Sequence, residues 1–156
     1  MKKLQNWANA AGSLGVILGI LFLGLEISQN TEMMRSQARD SITEKQMMFS
    51  EWVTTEPEMA VALVSAQQGL DQMAPEHFMM YAYFLAGVWR EWENSYYQYQ
   101  QGLFDSNEFE PRMTRWHSQM QSPAARTLWS SNREWYAPVF RARVDEIVRE
   151  IEQSPQ

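Results

Sequence analysis

Residues Leu4–Leu25 read LQNWANAAGSLGVILGILFLGL, lie between Lys3 and Glu26, and include no charged side chain. Coiled as a helix at about 1.5 Å per residue, a stretch of this length reaches about 30 Å, the thickness of bilayer hydrocarbon. The stretch reads as a membrane span, with residues 1–28 as an N-terminal anchor and the lipid bilayer as the partner of residues 4–25. Two other readings share some of its features. A secretory signal also starts with basic residues, which Lys2 and Lys3 supply, but its apolar region is shorter and ends at a small-x-small cleavage site. Here the apolar run leaves through Leu23-Gly24-Leu25-Glu26-Ile27-Ser28, without Ala-x-Ala. A core helix of a soluble domain is usually shorter or differently flanked. Length and flanks favour the span.

Within the stretch, Ala11, Gly15 and Gly19 recur every four residues, with Ala8 and Gly12 on nearby turns. Small residues at that spacing let two helices approach closely in lipid. This predicts a packing face for a second copy or another membrane protein, although Gly and Ala are also ordinary constituents of spans. Lys2 and Lys3 flank one end, and Arg35, Arg39 and Lys45 lie beyond the other. That balance favours neither orientation.

The other residues form a domain of ordinary size. The 156-residue chain carries a net charge of −6 and a mean hydropathy of −0.47, so most of it is polar and a multi-span protein is excluded. Setting aside Lys2, Lys3 and Glu26 leaves 11 basic against 18 acidic side chains. Such a domain is repelled by phosphate backbones, which argues against nucleic acid as a partner. With no Cys, disulfides and thiolate metal sites are excluded.

No Pro or Gly interrupts Glu26–Val53, so the helix is expected to run on, with residues 29–53 as an amphipathic juxtamembrane segment. Met34, Ala38, Ile42, Phe49, Trp52 and Val53 share a face that either covers the following helices or pairs in a coiled coil. The blander covering reading is preferred. Residues 54–152 then read as a helical bundle. Pro57, Pro75, Pro123 and Pro138 each sit where a first helical turn begins, and Gly69 and Gly102 sit where helices end. Pro75 to about Gln101 is the longest helix there, with Phe78, Tyr81, Ala82, Leu85, Val88, Trp89, Trp92, Tyr96 and Tyr99 along one broad stripe. Ser106 is the expected cap of the next helix, and Glu108–Arg112 an exposed pair on it. Phe140, Val144, Ile147, Val148 and Ile151 face inward on the last helix, with Arg141–Asp145 and Asp145–Arg149 pairs outside. Residues 153–156 are tail. The fold class is all-α: one N-terminal span continuing into a bundle of five or six helices.

No catalytic motif stands out, and the chain reads as non-enzymatic. Helical-bundle metal sites use Glu-x-x-His pairs, and neither His77 nor His117 has a Glu three residues ahead. No Gly-x-Ser-x-Gly elbow or phosphate-cradling glycine loop occurs, and no cofactor is implied. The most notable polar cluster is Arg90, Glu91, Glu93 and Asn94 among Trp89, Trp92, Tyr96 and Tyr97. Arg90, Glu93, Asn94, Tyr96 and Tyr97 are read either as a polar, aromatic-walled pocket for a small ligand or a carboxylate-bearing lipid fragment, or as the setting of an internal ion pair, Arg90 with Glu93 or Glu93 with a later Arg. The ion-pair reading is the blander and preferred one.

The apolar stretch running into Leu25-Glu26-Ile27-Ser28-Gln29-Asn30-Thr31, then Trp92-Glu93-Asn94-Ser95-Tyr96-Tyr97-Gln98 with Gly102-Leu103-Phe104-Asp105, resembles an uncharacterised family of small bacterial membrane-anchored proteins. Members look like one N-terminal span ending in a Gln-Ile-Arg-Gln-Asn-Thr-like segment, followed by a helical domain with a Glu-Asn-x-Tyr-Tyr-like stretch. Ser28 departs from the family, which often has Arg there. The resemblance implies a single-pass bacterial inner-membrane protein and carries no activity. The function expected from all this is an accessory, scaffold or oligomerisation subunit working through a protein partner or as a homo-oligomer. The second expectation is a membrane-tethered ligand-binding or sensor module using Arg90 and Glu93.

Overall fold

A computed structural model describes residues 2–153, apart from the side chains of residues 4, 6 and 8–10. The chain is all-helical: α1 (Lys2–Thr55), α2 (Pro57–Ala66), α3 (Pro75–Gln100), α4 (Ser106–Met120), α5 (Pro123–Asn132) and α6 (Pro138–Gln153), with 3-10 turns at Leu70–Gln72 and Arg133–Trp135. The expected tail past residue 153 lies outside the described residues.

Two compact units divide after Gln37. The first is the N-terminal part of α1, long and apolar enough to cross a membrane: its most apolar 18-residue window has a mean hydropathy of 1.9 and no buried residue. Leu14, Val16, Ile17, Leu18, Ile20, Leu21, Phe22, Leu23, Leu25 and Ile27 are all exposed. Ala11 is exposed as well, and a Cβ added at Gly12, Gly15 or Gly19 would meet nothing within 4 Å. The expected small-residue face is thus open among the described residues of this unit, and the Ala8 side chain lies outside those described.

The second unit holds residues 38–156. Ile42 is fully buried in its core, and Phe49, Trp52 and Val53 pack against that core. Residues 38–53 therefore belong to the bundle, and their apolar stripe covers the helices that follow. Met34, ahead of the division, is exposed.

Helix α3 is central because its residues are apolar around much of their circumference. Tyr81, Phe84, Leu85, Val88, Trp89 and Trp92 are buried, and α2 and α6 pack on it. Aromatic stacking ties α3 to its neighbours: Trp92 on Trp116 of α4 at 4.9 Å, Tyr99 on Phe109 at 4.2 Å, and Trp89 edge-on to Trp129 of α5 at 5.3 Å. Offset or edge-on pairs of this kind add about 0.5–1.5 kcal/mol each beyond area burial. Phe140, Val144 and Ile147 of α6 close the core, with Val148 and Ile151 half-buried.

The helix ends follow local chemistry. Gly102 at φ 69° completes α3: its N–H donates to Tyr99 O at 2.9 Å and the Leu103 N–H to Gln98 O at 3.0 Å, both bonds of a Schellman motif. Helix α2 stops at Ala66, before Gly69, which takes φ 129° to open the first 3-10 turn. The α4 cap is Asp105, one residue before the expected Ser106, and its carboxylate accepts from Asn107 N–H at 2.8 Å. Ser122 caps α5 as expected, accepting from Ala125 N–H at 3.4 Å ahead of Pro123.

Three expected helix-surface pairs are replaced. Glu108 reaches Arg39 at 3.1 Å and leaves Arg112 to Glu91 at 2.9 Å. Arg141 pairs with Glu134, and the Asp145 carboxylate is taken by Arg133 at 2.5 Å and by the Trp129 indole N–H at 2.9 Å. Arg149 donates instead to the Asp145 backbone carbonyl at 3.3 Å. Arg39, Arg112, Arg133 and Arg141 thus each find a carboxylate on another element, while Arg149 turns to a carbonyl of its own helix.

Candidate functional site

All five residues singled out in α3 border one cleft. Arg90, Glu93, Asn94 and Tyr97 recur at three- and four-residue spacing, which sets them on one face of the helix, and Tyr96 lies at its edge. Lys45, Met48 and Phe49 of α1 form the facing wall, and Ala137, Val139 and Phe140 at the start of α6 form the third. The cleft holds about 700 Å³, within the range of small-molecule sites. Gly87 makes this arrangement possible. A Cβ there would stand 3.1 Å from the Phe49 ring, so only glycine lets α1 and α3 come this close without displacing the ring.

Arg90 and Glu93 are committed to one another and to the backbone. They pair one helical turn apart, Arg90 donates to Trp135 O at 3.2 Å, and Glu93 accepts from Ala137 N–H at 2.6 Å. The Arg90 guanidinium also lies 4.6 Å above the Tyr136 ring. A carboxylate at a helix start satisfies an orphan N–H and favours the helix dipole. Glu93 does this for α6, and Arg90 holds the preceding turn. The pair expected from sequence is present, and its work is to fasten the junction before α6. Burial pushes the Tyr136 phenol above its usual range, with Arg90 partly offsetting this; its O–H donates to Ala86 O at 3.3 Å.

The sequence reading left Glu91 without a partner. Its side chain is 4% exposed and Arg112's is 12% exposed, and their 2.9 Å contact is a buried ion pair between α3 and α4. Burial raises the Glu91 carboxyl above its ordinary value, and Arg112 first, then Lys45 and Arg115, pull it back down. With its amide oxygen turned to the guanidinium, Gln46 accepts from Arg112 at 2.7 and 3.1 Å. Arg112 also lies 5.1 Å over the Phe104 ring. Glu91, Arg112 and Gln46 border a smaller cavity of about 340 Å³ with Arg115 and Trp116. One signal for this was available: Glu91 falls in the same three- and four-residue register as Phe84, Val88, Trp92 and Ser95, all buried.

The two stretches that carry the family resemblance have different fates. In Trp92–Gln98, Trp92 and Ser95 are core, Glu93 fastens α6, and Asn94, Tyr96 and Tyr97 border the cleft. Leu25–Thr31 is helical, and within it Thr31 is half-buried while its hydroxyl donates to Ile27 O at 2.9 Å. Cleft residues Lys45, Met48, Val139 and Phe140 were not picked out as site residues, because they come from helices far from α3 in sequence. Among the described residues, no three His, Asp or Glu side chains gather where they can hold a metal ion. Comparison of the chain with protein-family models, with curated proteins and with solved structures gives no match.

Proposed function

We propose that this chain is a single-pass membrane-anchored protein of the bacterial inner membrane whose helical bundle serves as an accessory, scaffold or oligomerisation subunit. The observation that carries the reading is the exposure of the first unit. Ten large apolar side chains between Leu14 and Ile27 are each more than half exposed. Left in water, they forfeit on the order of 10 kcal/mol or more of burial free energy. A bilayer removes that cost, and the uninterrupted helix satisfies its own backbone polar groups there. The likeness to small membrane-anchored bacterial proteins, read from Leu25–Thr31 and Trp92–Gln98, belongs to the same proposal.

The protein contact is assigned to Ala11, Gly15 and Gly19. The exposure of Ala11 and the open space around Gly15 and Gly19 support it, since no described residue comes within 4 Å of a Cβ placed at either glycine. The test is gentle purification of tagged protein from native membranes, with sizing and mass spectrometry. A stoichiometric companion or a homo-oligomer that dissociates on Gly15→Leu with Gly19→Leu supports the reading; a monomer unaffected by the double substitution refutes it.

The cleft favours a second reading, a membrane-tethered module that binds a small ligand beside Arg90, Glu93, Asn94, Tyr96 and Tyr97. A concave site of about 700 Å³ with apolar walls and a few polar groups supports it. Its test is ligand-induced thermal stabilisation of the full chain. A shift that Asn94→Ala and Tyr97→Ala diminish supports the reading, and the absence of any shift over a broad small-molecule panel counts against it.

A further inference from the structure

The cleft's charges and walls select among ligands. Three of its charged groups have ion-pair partners inside the chain: Arg90 with Glu93, and Glu91 with Arg112 behind the wall. Lys45, on the α1 wall, has no ion-pair partner among the described residues. It acts electrostatically on Glu91, whose oxygen already accepts from Arg112. Counting Arg112 behind the wall, three cations meet two carboxylates, so one positive charge is left over, on a chain whose net charge is −6. The other walls are hydrocarbon and aromatic: Met48, Phe49, Tyr96, Val139 and Phe140. A ligand that uses both features carries a single negative charge on a long apolar body. Water in the cleft gains little from such walls, whereas an alkyl chain gains about 0.8 kcal/mol per buried methylene.

We propose that the cleft binds a long-chain carboxylate, a fatty-acid anion, with its carboxylate at Lys45 and its chain against Met48, Phe49, Val139 and Phe140. This deepens the ligand-binding reading above and rests on it. The Asn94 and Gln100 amides at the cleft offer hydrogen bonds to the same headgroup. Val139 is 56% exposed, so the wall it forms is open to an arriving chain.

The test uses the full-length protein in phosphatidylcholine nanodiscs with photoreactive palmitate bearing a mid-chain diazirine, and the matched sixteen-carbon alcohol in parallel. Labelled residues are mapped by mass spectrometry. Palmitate is expected to label the peptides holding Met48, Phe49 and Val139. The alcohol and the Lys45→Met protein should each give about tenfold less cleft label, the usual weight of one charge-assisted contact. Lys45→Arg should restore it, and the melting temperature of each variant separates loss of binding from loss of fold. Equal labelling by acid and alcohol, unchanged by Lys45→Met, overturns the carboxylate and leaves the ligand cleft standing. Label confined to residues 4–25, with none in the cleft, overturns the proposal, while the ligand-binding reading stands or falls separately on the thermal-shift panel.

Discussion

Arg112→Met strips Glu91 of its guanidinium inside the bundle while keeping most of the side chain's volume. Glu91 is nearly sealed from water, and burial already raises its carboxyl above the ordinary value of 4.5. A group with a raised folded-state value binds more protons folded than unfolded. Its stabilising contribution is full below about pH 4.5 and is lost as pH rises through the folded value. Removing Arg112 takes away the largest opposing influence, so the variant raises that value further and steepens the loss. The part of the cost that comes from the unpaired carboxylate has a ceiling, because the folded variant can take up a proton instead of burying a bare charge. At about 1.36 kcal/mol per pH unit above 4.5, the ceiling is under about 1 kcal/mol at pH 5 and about 5 kcal/mol at pH 8. Breaking a buried pair ordinarily costs about 3–5 kcal/mol, so the full effect belongs to the alkaline side. The assay is urea unfolding of the full-length protein in mild detergent, followed by the fluorescence of the buried tryptophans, at both pH values. The destabilisation relative to wild type should be at least about 2 kcal/mol larger at pH 8, and Arg112→Met with Glu91→Leu should recover most of it. Equal destabilisation at the two pH values refutes the reasoning, because it means that lost packing rather than an unpaired carboxylate sets the cost.

Three further outcomes follow from single contacts. Gly87→Val should destabilise the bundle by about 1–3 kcal/mol through overpacking against Phe49, and Phe49→Ala in the same chain should relieve part of that strain, both read by denaturant midpoint. Glu93→Ala frees Arg90 and the Ala137 N–H together, so it should cost about 1–3 kcal/mol and speed hydrogen exchange at Ala137 more than at core amides of α3. Gly102→Ala forces a side chain into φ 69° and should cost about 1–2 kcal/mol of stability and lower the thermal midpoint, whereas Gly24→Ala, whose Cβ would meet nothing within 4 Å, should leave the bundle's melting unchanged.

The fold was legible where the signal is local. Pro at first turns, Gly102 at a helix end and the three- and four-residue apolar register gave α2 to α6 to within a few residues. Those features act within one helix turn and need no knowledge of the neighbours. The pairing of charges was not legible for the opposite reason. Arg112 has Glu108 four residues before it, yet takes Glu91, which is 21 positions away and buried. A desolvated guanidinium gains more from a buried acid than from one in water. The apolar stripe of residues 38–53 was readable as a cover for the following helices, but which of its residues enters the core, Ile42, is set by tertiary packing. The cleft was half legible, with its α3 face readable from Arg90 to Tyr97 and its other walls set only by tertiary packing.

The claim on which the rest depends is that the first unit lies in a bilayer. Native membranes washed at alkaline pH in carbonate, followed by intact-mass measurement of the protein that stays with the pellet, test it most directly. The account predicts that the chain remains in the pellet with residues 1–28 still attached, and that Leu18→Arg with Leu21→Arg releases it to the supernatant. Wild-type chain found in the supernatant, or a pellet-free product shortened past residue 28, would contradict it.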